Sequence, residues 1–245
     1  MYQIDCKILS NERVQGRYFK LRFSSPRMAK KAAPGQFMEI RVSDANDPLL
    51  RKPLGFHRVE GSAIEVLYEA VGKGTEILSK KCAGEKINII GPLGNGFTLK
   101  KPAVFIAGGI GAAPLLFAAQ RIKGAKALIG GKDKETLLCQ KEFMALGCGV
   151  EVATESGERG KKGFVTSLMD KLPKKANLYA CGPKAMLREV SRIAQKEKLS
   201  CQLLLEEYMA CGIGACLGCA VMTKDGYKMV CKDGPVFEAG DIVWD

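Results

Sequence analysis

The sequence predicts a β + α/β protein in three parts. These are an N-terminal antiparallel β-barrel over residues 1–99, a parallel α/β domain over 100–200, and a small cysteine-rich segment over 201–245. Three observations predict it. Short alternating apolar runs, separated by turn residues, fill the first hundred positions. Strands then alternate with helices, the pattern of parallel βαβ units. Last, four of the ten cysteines crowd together between positions 211 and 231. A chain of 245 residues is too long for one small module. Its 47% hydrophobic and 26% charged residues exclude a disordered or fibrous protein.

In the barrel the alternating runs lie at 18–23, 37–42, 64–70 and 86–90. Turn chemistry separates them at Pro34-Gly35, at Asn46-Asp47-Pro48, at 72–74 and at 91–96. Pro26 and the lysines after it mark a loop. Arg51, Lys52, Pro53, Leu54 and Gly55 join two predicted strands, and Gly74 and Thr75 open a predicted helix. Gly91-Pro92-Leu93-Gly94-Asn95-Gly96-Phe97 ends the domain. An arginine, a nest of backbone N–H groups and a helix start carrying threonine suit a pyrophosphate. Each piece alone reads equally as a plain turn. His57, the only histidine, has no partner residue in view and reads as structural.

From Lys101 the period changes. Predicted strands at 103–107, 125–129, 150–154 and 177–180 alternate with helices ending near 122 and at 134–146, 163–171 and 183–197. Gly108, Gly109, Gly111 and Pro114 fall between the first strand and its helix, a Rossmann-like arrangement. Small residues there let a turn approach a pyrophosphate at a helix N-terminus. The loop is not Gly-x-Gly-x-x-Gly, and alone it reads as well as an ordinary strand–helix turn. Cys181, Gly182 and Pro183 close a later strand of the same sheet and would line the same crevice. Lys132 and Asp133 follow the second strand, where a base would read a 2′-phosphate and an acid a ribose. The pair points both ways between NADPH and NADH.

Cys211, Cys216, Cys219 and Cys231 have the spacing C-x4-C-x2-C-x11-C. This is the plant-type [2Fe–2S] ligand pattern. Each iron takes two thiolates, and Gly212, Gly214 and Gly218 allow a tight wrap with free N–H groups near the sulfurs. The alternative is a four-cysteine zinc site, which ordinarily uses two C-x2-C knuckles; here only Cys216 and Cys219 form one. The other six cysteines read as small core residues.

A formal charge of +12 invites a nucleic-acid reading. The basic residues are spread as pairs such as Lys30-Lys31 and Lys174-Lys175, without a long run or interleaved aromatics, and read as solvated faces. Residues 1–100 carry 17 basic and 10 acidic residues, 101–200 carry 18 and 9, and 201–245 carry 3 and 7. The excess positive charge therefore sits on the two nucleotide-type domains, and the acidic cysteine segment is the expected docking face. The N-terminal sequence has no signal-like apolar stretch and the longest uncharged run holds glycines and prolines, so a cytoplasmic protein without a membrane span is expected.

The order of barrel, Gly-Gly-x-Gly domain and four-cysteine loop resembles the electron-transfer subunit of NAD-dependent (class 1B) dihydroorotate dehydrogenase, within the ferredoxin-reductase-like superfamily. Residues 50–56 resemble that family's Arg-x-Pro-x-Ser flavin segment. Leu67, Tyr68 and Glu69, with Gly74 and Thr75, resemble its other FAD contacts. Residues 91–97, 108–114 and 211–231 resemble its Gly-Pro-Leu-Gly-Asn-Gly-Phe motif, nicotinamide loop and cluster. In this chain Lys52 stands for a common arginine, which loses the bidentate fork, and Gly55 for the usual serine. The resemblance implies FAD, a [2Fe–2S] cluster and NAD(H) as cofactors. It also implies an FMN-containing catalytic subunit as partner, in a heterotetramer of two of each. Dihydroorotate would be oxidised on that partner, and no side chain of this chain is an acid or base. A flavin belongs between a hydride donor and a one-electron centre because it serves both. The nearer alternative is a subunit of another complex, of ferredoxin–NADP reductase, sulfide dehydrogenase or hydrogenase type. The distant one is a basic zinc protein that binds nucleic acid.

Overall fold

A computed structural model of the chain describes residues 1–244. The N-terminal region is a seven-stranded antiparallel sheet curled into an open barrel. Its strands are β1 (Tyr2–Gln15), β2 (Tyr18–Ser24), β3 (Phe37–Arg41), β4 (Lys52–Gly55), β5 (Arg58–Glu60), β6 (Ala63–Glu69) and β7 (Lys86–Leu93), in the order β4-β3-β7-β1-β2-β6-β5. Inward-facing Leu21, Phe23, Ile40, Ile64, Val66 and Tyr68 fill its core. Two short helices cover it, α1 (Pro26–Ala29) and α2 (Lys73–Ser79). The central strand β1 is absent from the sequence reading. Its first half does alternate, with Tyr2, Ile4, Cys6 and Ile8 turned inward and Gln3, Asp5 and Lys7 exposed, whereas residues 10–15 are polar or exposed and carry no such signal.

The second sheet is parallel: β8 (Ala103–Gly108), β9 (Lys126–Gly131), β10 (Gly149–Thr154), β11 (Lys161–Lys162), β12 (Asn177–Cys181) and β13 (Ser200–Leu204). Its order is β11-β10-β9-β8-β12-β13, with one antiparallel edge strand added after β13. The helices α3 (Ala112–Arg121), α4 (Gln140–Ala145) and α5 (Lys184–Lys196) connect the strands. The predicted helix at 134–146 is broken. Asp133 accepts hydrogen bonds from the N–H groups of Glu135 and Thr136, capping a single 3-10 turn before α4. The predicted helix at 163–171 is a 3-10 segment over Val165–Lys171, where β-branched Val165 and Thr166 follow a glycine.

The C-terminal segment holds the hairpin β14 (Ala220–Thr223) and β15 (Gly226–Met229), then β16 (Val236–Glu238). β16 pairs antiparallel with β13 and forms the edge of the parallel sheet. That sheet therefore extends past residue 200 and takes back a strand from beyond the cysteines. The core is continuous between regions. Tyr18 and Leu67 of the barrel pack with the α/β apolar residues, and Phe37 and Leu93 pack with Met229 and Val230. Among the described residues no helix is long and apolar enough to cross a membrane.

Candidate functional site

The strand order of the parallel sheet reverses between β8 and β12, and both predicted nucleotide-binding pieces lie there. Gly108 and Gly109 leave β8, and Cys181, Gly182 and Pro183 leave β12. The two turns touch through backbone. A Cβ on Gly111 would fall 2.2 Å from the Cys181 carbonyl oxygen, and one on Gly108 would fall 2.6 Å from Met186 Sδ. Only glycine permits this approach, which leaves an open crevice at the strand ends. The Cys181 thiol lies 3.9 Å from Glu206 Oε1, and burial pushes its pKa well above the ordinary value. Pro114, in the first turn of α3, meets the barrel, where a Cβ on Gly55 would lie 3.4 Å away. Asp133 is held as a helix cap rather than turned into the crevice.

On the barrel, Lys52, Pro53, Leu54 and Gly55 form β4, an edge strand half-buried along its length. Lys52 lies along the first turn of α2, with its Cε about where a Cβ on Gly74 would be. Thr75 does not offer a free hydroxyl. Its Oγ1 accepts from the N–H groups of Val71 and Gly72 and donates to the Gly72 carbonyl. Arg51 is also occupied: it donates to the Asn88 carbonyl at 3.0 Å and to Asn88 Oδ1 at 2.6 Å, tying the β4 hairpin to β7. Tyr68 points into the barrel core, stacked on Phe19 with its hydroxyl on Asn11 Oδ1. Glu69 pairs with Arg17, and Leu67 joins the seam with the α/β domain. Arg51 therefore already spends donors on Asn88, while Lys52 has its ammonium end along the start of α2.

Glu39, which the sequence reading does not single out, marks the same seam. It lies on β3 opposite Pro53, is buried, and neither carboxylate oxygen has a hydrogen-bond partner. Burial raises its pKa to about 7, against the pull of Arg51. Its side chain fills the space where Gly212 would carry a Cβ, 2.7 Å from Cγ. A charged residue inside the apolar run Phe-Met-Glu-Ile was the available signal. An orphaned acceptor between β4 and the cysteine loop suits a bound group that brings a donor.

The four clustered cysteines fall into two pairs. Cys216 helps to lower the pKa of Cys211, Cys219 helps to raise that of Cys231, and Cys231 also feels the charge of Cys211. Among the described residues no three ligating side chains converge as a single-ion site requires. Two thiol pairs suit two irons better than one tetrahedral zinc. Backbone donors already point at sulfur. Gly214 N–H reaches Cys231 Sγ at 3.1 Å, Ala215 N–H reaches Cys211 Sγ at 3.2 Å, and Cys231 N–H reaches Cys219 Sγ at 3.4 Å. Burial opposes ionisation of Cys211, yet the N–H groups of Ile213, Ala215 and Cys216 bring its pKa down to about 6. Burial and the neighbouring Cys219 push Cys231 up to about 12. Gly212 and Gly214 take φ of +67° and +84°, and Leu217 takes +59°, a left-handed conformation that is strained for a branched residue. The loop is clamped from the barrel side by Asn95. Its N–H bonds the Gly234 carbonyl and its Nδ2 bonds the carbonyls of Lys232 and Asp233, just after Cys231.

Residues 206–243 match the family model of the iron–sulfur cluster binding domain of dihydroorotate dehydrogenase B. The chain is 39% identical over 257 residues to the dihydroorotate dehydrogenase B (NAD+) electron transfer subunit of Desulforamulus reducens, covering 98% of both chains. It belongs to this family of electron transfer subunits. A member from Caldanaerobacter subterraneus is also 39% identical, over 99% of both chains. Among solved structures, the chain is similar to an NADH-dependent reduced ferredoxin–NADP oxidoreductase, with a TM-score of 0.87 and 27% identity over 98% of this chain and 90% of that one. A ferredoxin–NADP+ reductase from Neisseria gonorrhoeae shares the fold at a TM-score of 0.66 and 17% identity, over 80% and 92% of the two chains.

Proposed function

We propose that the chain is the electron-transfer subunit of a dihydroorotate dehydrogenase B. It would pass electrons from the FMN of a catalytic subunit through a [2Fe–2S] cluster and FAD to NAD+. One observation carries this reading: β4 lies between the two other sites. The cysteine loop packs on Glu39 beside β4 through Gly212, and β4 packs on the crevice loop through Gly55 and Pro114. When bound, the groups supply hydride transfer at the nicotinamide and flavin and single-electron transfer at the cluster.

In this assignment residues 1–99 bind FAD, 100–200 bind NAD and 201–245 bind the cluster. Cys211, Cys216, Cys219 and Cys231 hold the irons, and the N–H groups of Gly214 and Ala215 stabilise the charged sulfurs. Lys52, beside the first turn of α2, neutralises the FAD pyrophosphate. The backbone of Leu54 and Gly55 faces the flavin, and Glu39 accepts a donor from the bound group. Gly108, Gly109 and Gly111, with Cys181, Gly182 and Pro183, bring main chain close to the nicotinamide nucleotide. The buried seam against α3 excludes water from the space between them. No side chain serves as an acid or base. The partner is an FMN-containing dihydroorotate-oxidising subunit, two of each in a cytoplasmic assembly. Exposed Tyr208, Ile213 and Leu217 on the acidic cysteine segment support docking there.

The purified protein should show flavin and iron–sulfur absorbance, with about two irons per chain. Cys216→Ser should abolish electron delivery to the FMN subunit while leaving NADH-to-flavin reduction within about twofold, since the hydride step needs no cluster. A colourless protein with one zinc, or a variant that keeps both activities, would overturn the cluster assignment.

A further inference from the structure

His57 has two features that the proposed function does not use. It is wholly buried, and it bridges two regions of the molecule. It follows β4 directly, two residues after Gly55. Its backbone N–H bonds the Glu65 carbonyl at 2.9 Å, which fixes it to β6. Its ring crosses to the α/β domain, where Nδ1 lies 3.1 Å from the carbonyl oxygen of Ala113. A carbonyl only accepts, so Nδ1 carries the proton and donates. Ala113 is the second residue of α3, and the next residue is Pro114, which contacts Gly55. Phe56 rests on Phe117 one turn further, with centroids 6.2 Å apart, and the Val59 N–H bonds Gln120 Oε1 at 3.2 Å. Gly55, Phe56 and His57, the last residue of β4 and the two after it, thus dock on the first turns of the helix that follows the proposed nicotinamide loop. His57 provides the one directional bond among them.

Charged groups surround the ring at greater distance. Glu65 Oε1 from β6 is 3.5 Å from Nε2, and Lys20 from β2 bridges Glu65 and Glu142 of α4 at 3.8 and 3.2 Å. Arg58 completes the surroundings. Burial keeps the ring neutral, which leaves Nε2 without a proton and Nδ1–H as the donor.

We infer that His57 is a positioning residue for hydride transfer. Through Nδ1–H···O=C of Ala113 it sets the nicotinamide loop against the flavin strand. This rests on the assignment of those two sites above. Hydride transfer requires its two reacting atoms at near-contact distance, and that distance spans exactly this domain seam.

The test uses the FAD-loaded protein and follows flavin reduction by NADH, in which hydride leaves the nicotinamide and one proton comes from solvent. His57→Leu keeps volume and removes the donor. His57→Asn places an amide N–H near the position of Nδ1. In the Leu variant the rate at saturating NADH should fall about 10- to 100-fold, with a smaller change in half-saturating NADH, because misplacement affects the reacting geometry more than binding. The Asn variant should recover to within about threefold of wild type if the bond itself is what matters. The single histidine gives one set of ring signals in 15N NMR, and wild type should show Nδ1–H protected from exchange and Nε2 unprotonated. This readout holds even if the Leu variant fails to fold. A folded, FAD-replete Leu variant with the wild-type rate overturns the inference, and so does an Nε2–H tautomer. If NADH fails to reduce the flavin of the wild-type protein, the functional assignment is overturned and this inference with it.

Discussion

The barrel meets the α/β domain through side chains and the cysteine segment largely through backbone. Against α3, Phe56, Phe117 and His57 interdigitate with no exposed surface, and burying each such aromatic contributes about 2–3 kcal/mol. Against the cysteine loop, Phe37 and Leu93 add some apolar contact, but position is set by Asn95 holding three consecutive carbonyls, those of Lys232, Asp233 and Gly234. The difference follows from what each seam does. The first must keep two nucleotide sites at a fixed distance, which dense packing achieves. The second must place four thiolates from a short loop with little core of its own, and directed hydrogen bonds do that with few residues.

The largest expected effect breaks the first seam by pH. Burial lowers the His57 pKa from 6.5 to about 4, while an unfolded chain would still titrate near 6.5. As pH falls from 6.5 towards 4, the unfolded state takes up a proton that the folded state refuses. The His57 contribution to stability at neutral pH is therefore lost over that window, by about 3 kcal/mol, and the loss levels off below pH 4. Glu39, whose pKa burial raises from 4.5 to about 7, acts in the opposite sense over about pH 7 to 4.5, so the His57 slope should appear as the pH-dependent difference in denaturant unfolding between wild type and His57→Asn. A next effect enters from the crevice side. Gly111→Ala would drive a methyl into the Cys181 carbonyl, with no flexible side chain to yield. It should cost about 2–3 kcal/mol in unfolding and weaken NADH binding, measured by titration, while iron content stays unchanged. The smallest effect sharpens the second seam. Asn95→Ala removes two exposed side-chain hydrogen bonds, to the carbonyls of Lys232 and Asp233, and should cost about 1 kcal/mol. Its mark should be faster loss of iron to a chelator, with NADH-to-flavin reduction intact. Equal chelator rates would mean that the loop holds its own shape.

How much of this was legible beforehand differs by region. The cysteine spacing reported the cluster because ligation by a short loop imposes close, regular separations. The glycine turn reported the crevice because only glycine allows the approach of Gly111 to Cys181. Strands β2 and β6 were visible, whereas β1 was missed although its first half alternates as clearly, because its second half is polar throughout. Other functional pieces depended on partners remote in sequence. Arg51 matched a phosphate ligand by position, but Asn88 captures it. Thr75 matched as well, but its hydroxyl closes its own turn. His57 had no neighbour in sequence to suggest a role, because Ala113 lies 56 residues away.

By itself the sequence determined the class of each region and located the iron–sulfur segment. Alternation, βαβ order and ligand spacing are local properties, written in residues close along the chain. Only the tertiary structure decided that Arg51 is bonded to Asn88 while Lys52 lies along α2, that Glu39 lies unpartnered between strand and cysteine loop, and that β16 returns to the parallel sheet. It also showed that a lone histidine joins the barrel to the first turn of α3. Each of these depends on which distant groups share a buried space, and burial is set by the packing of the whole chain.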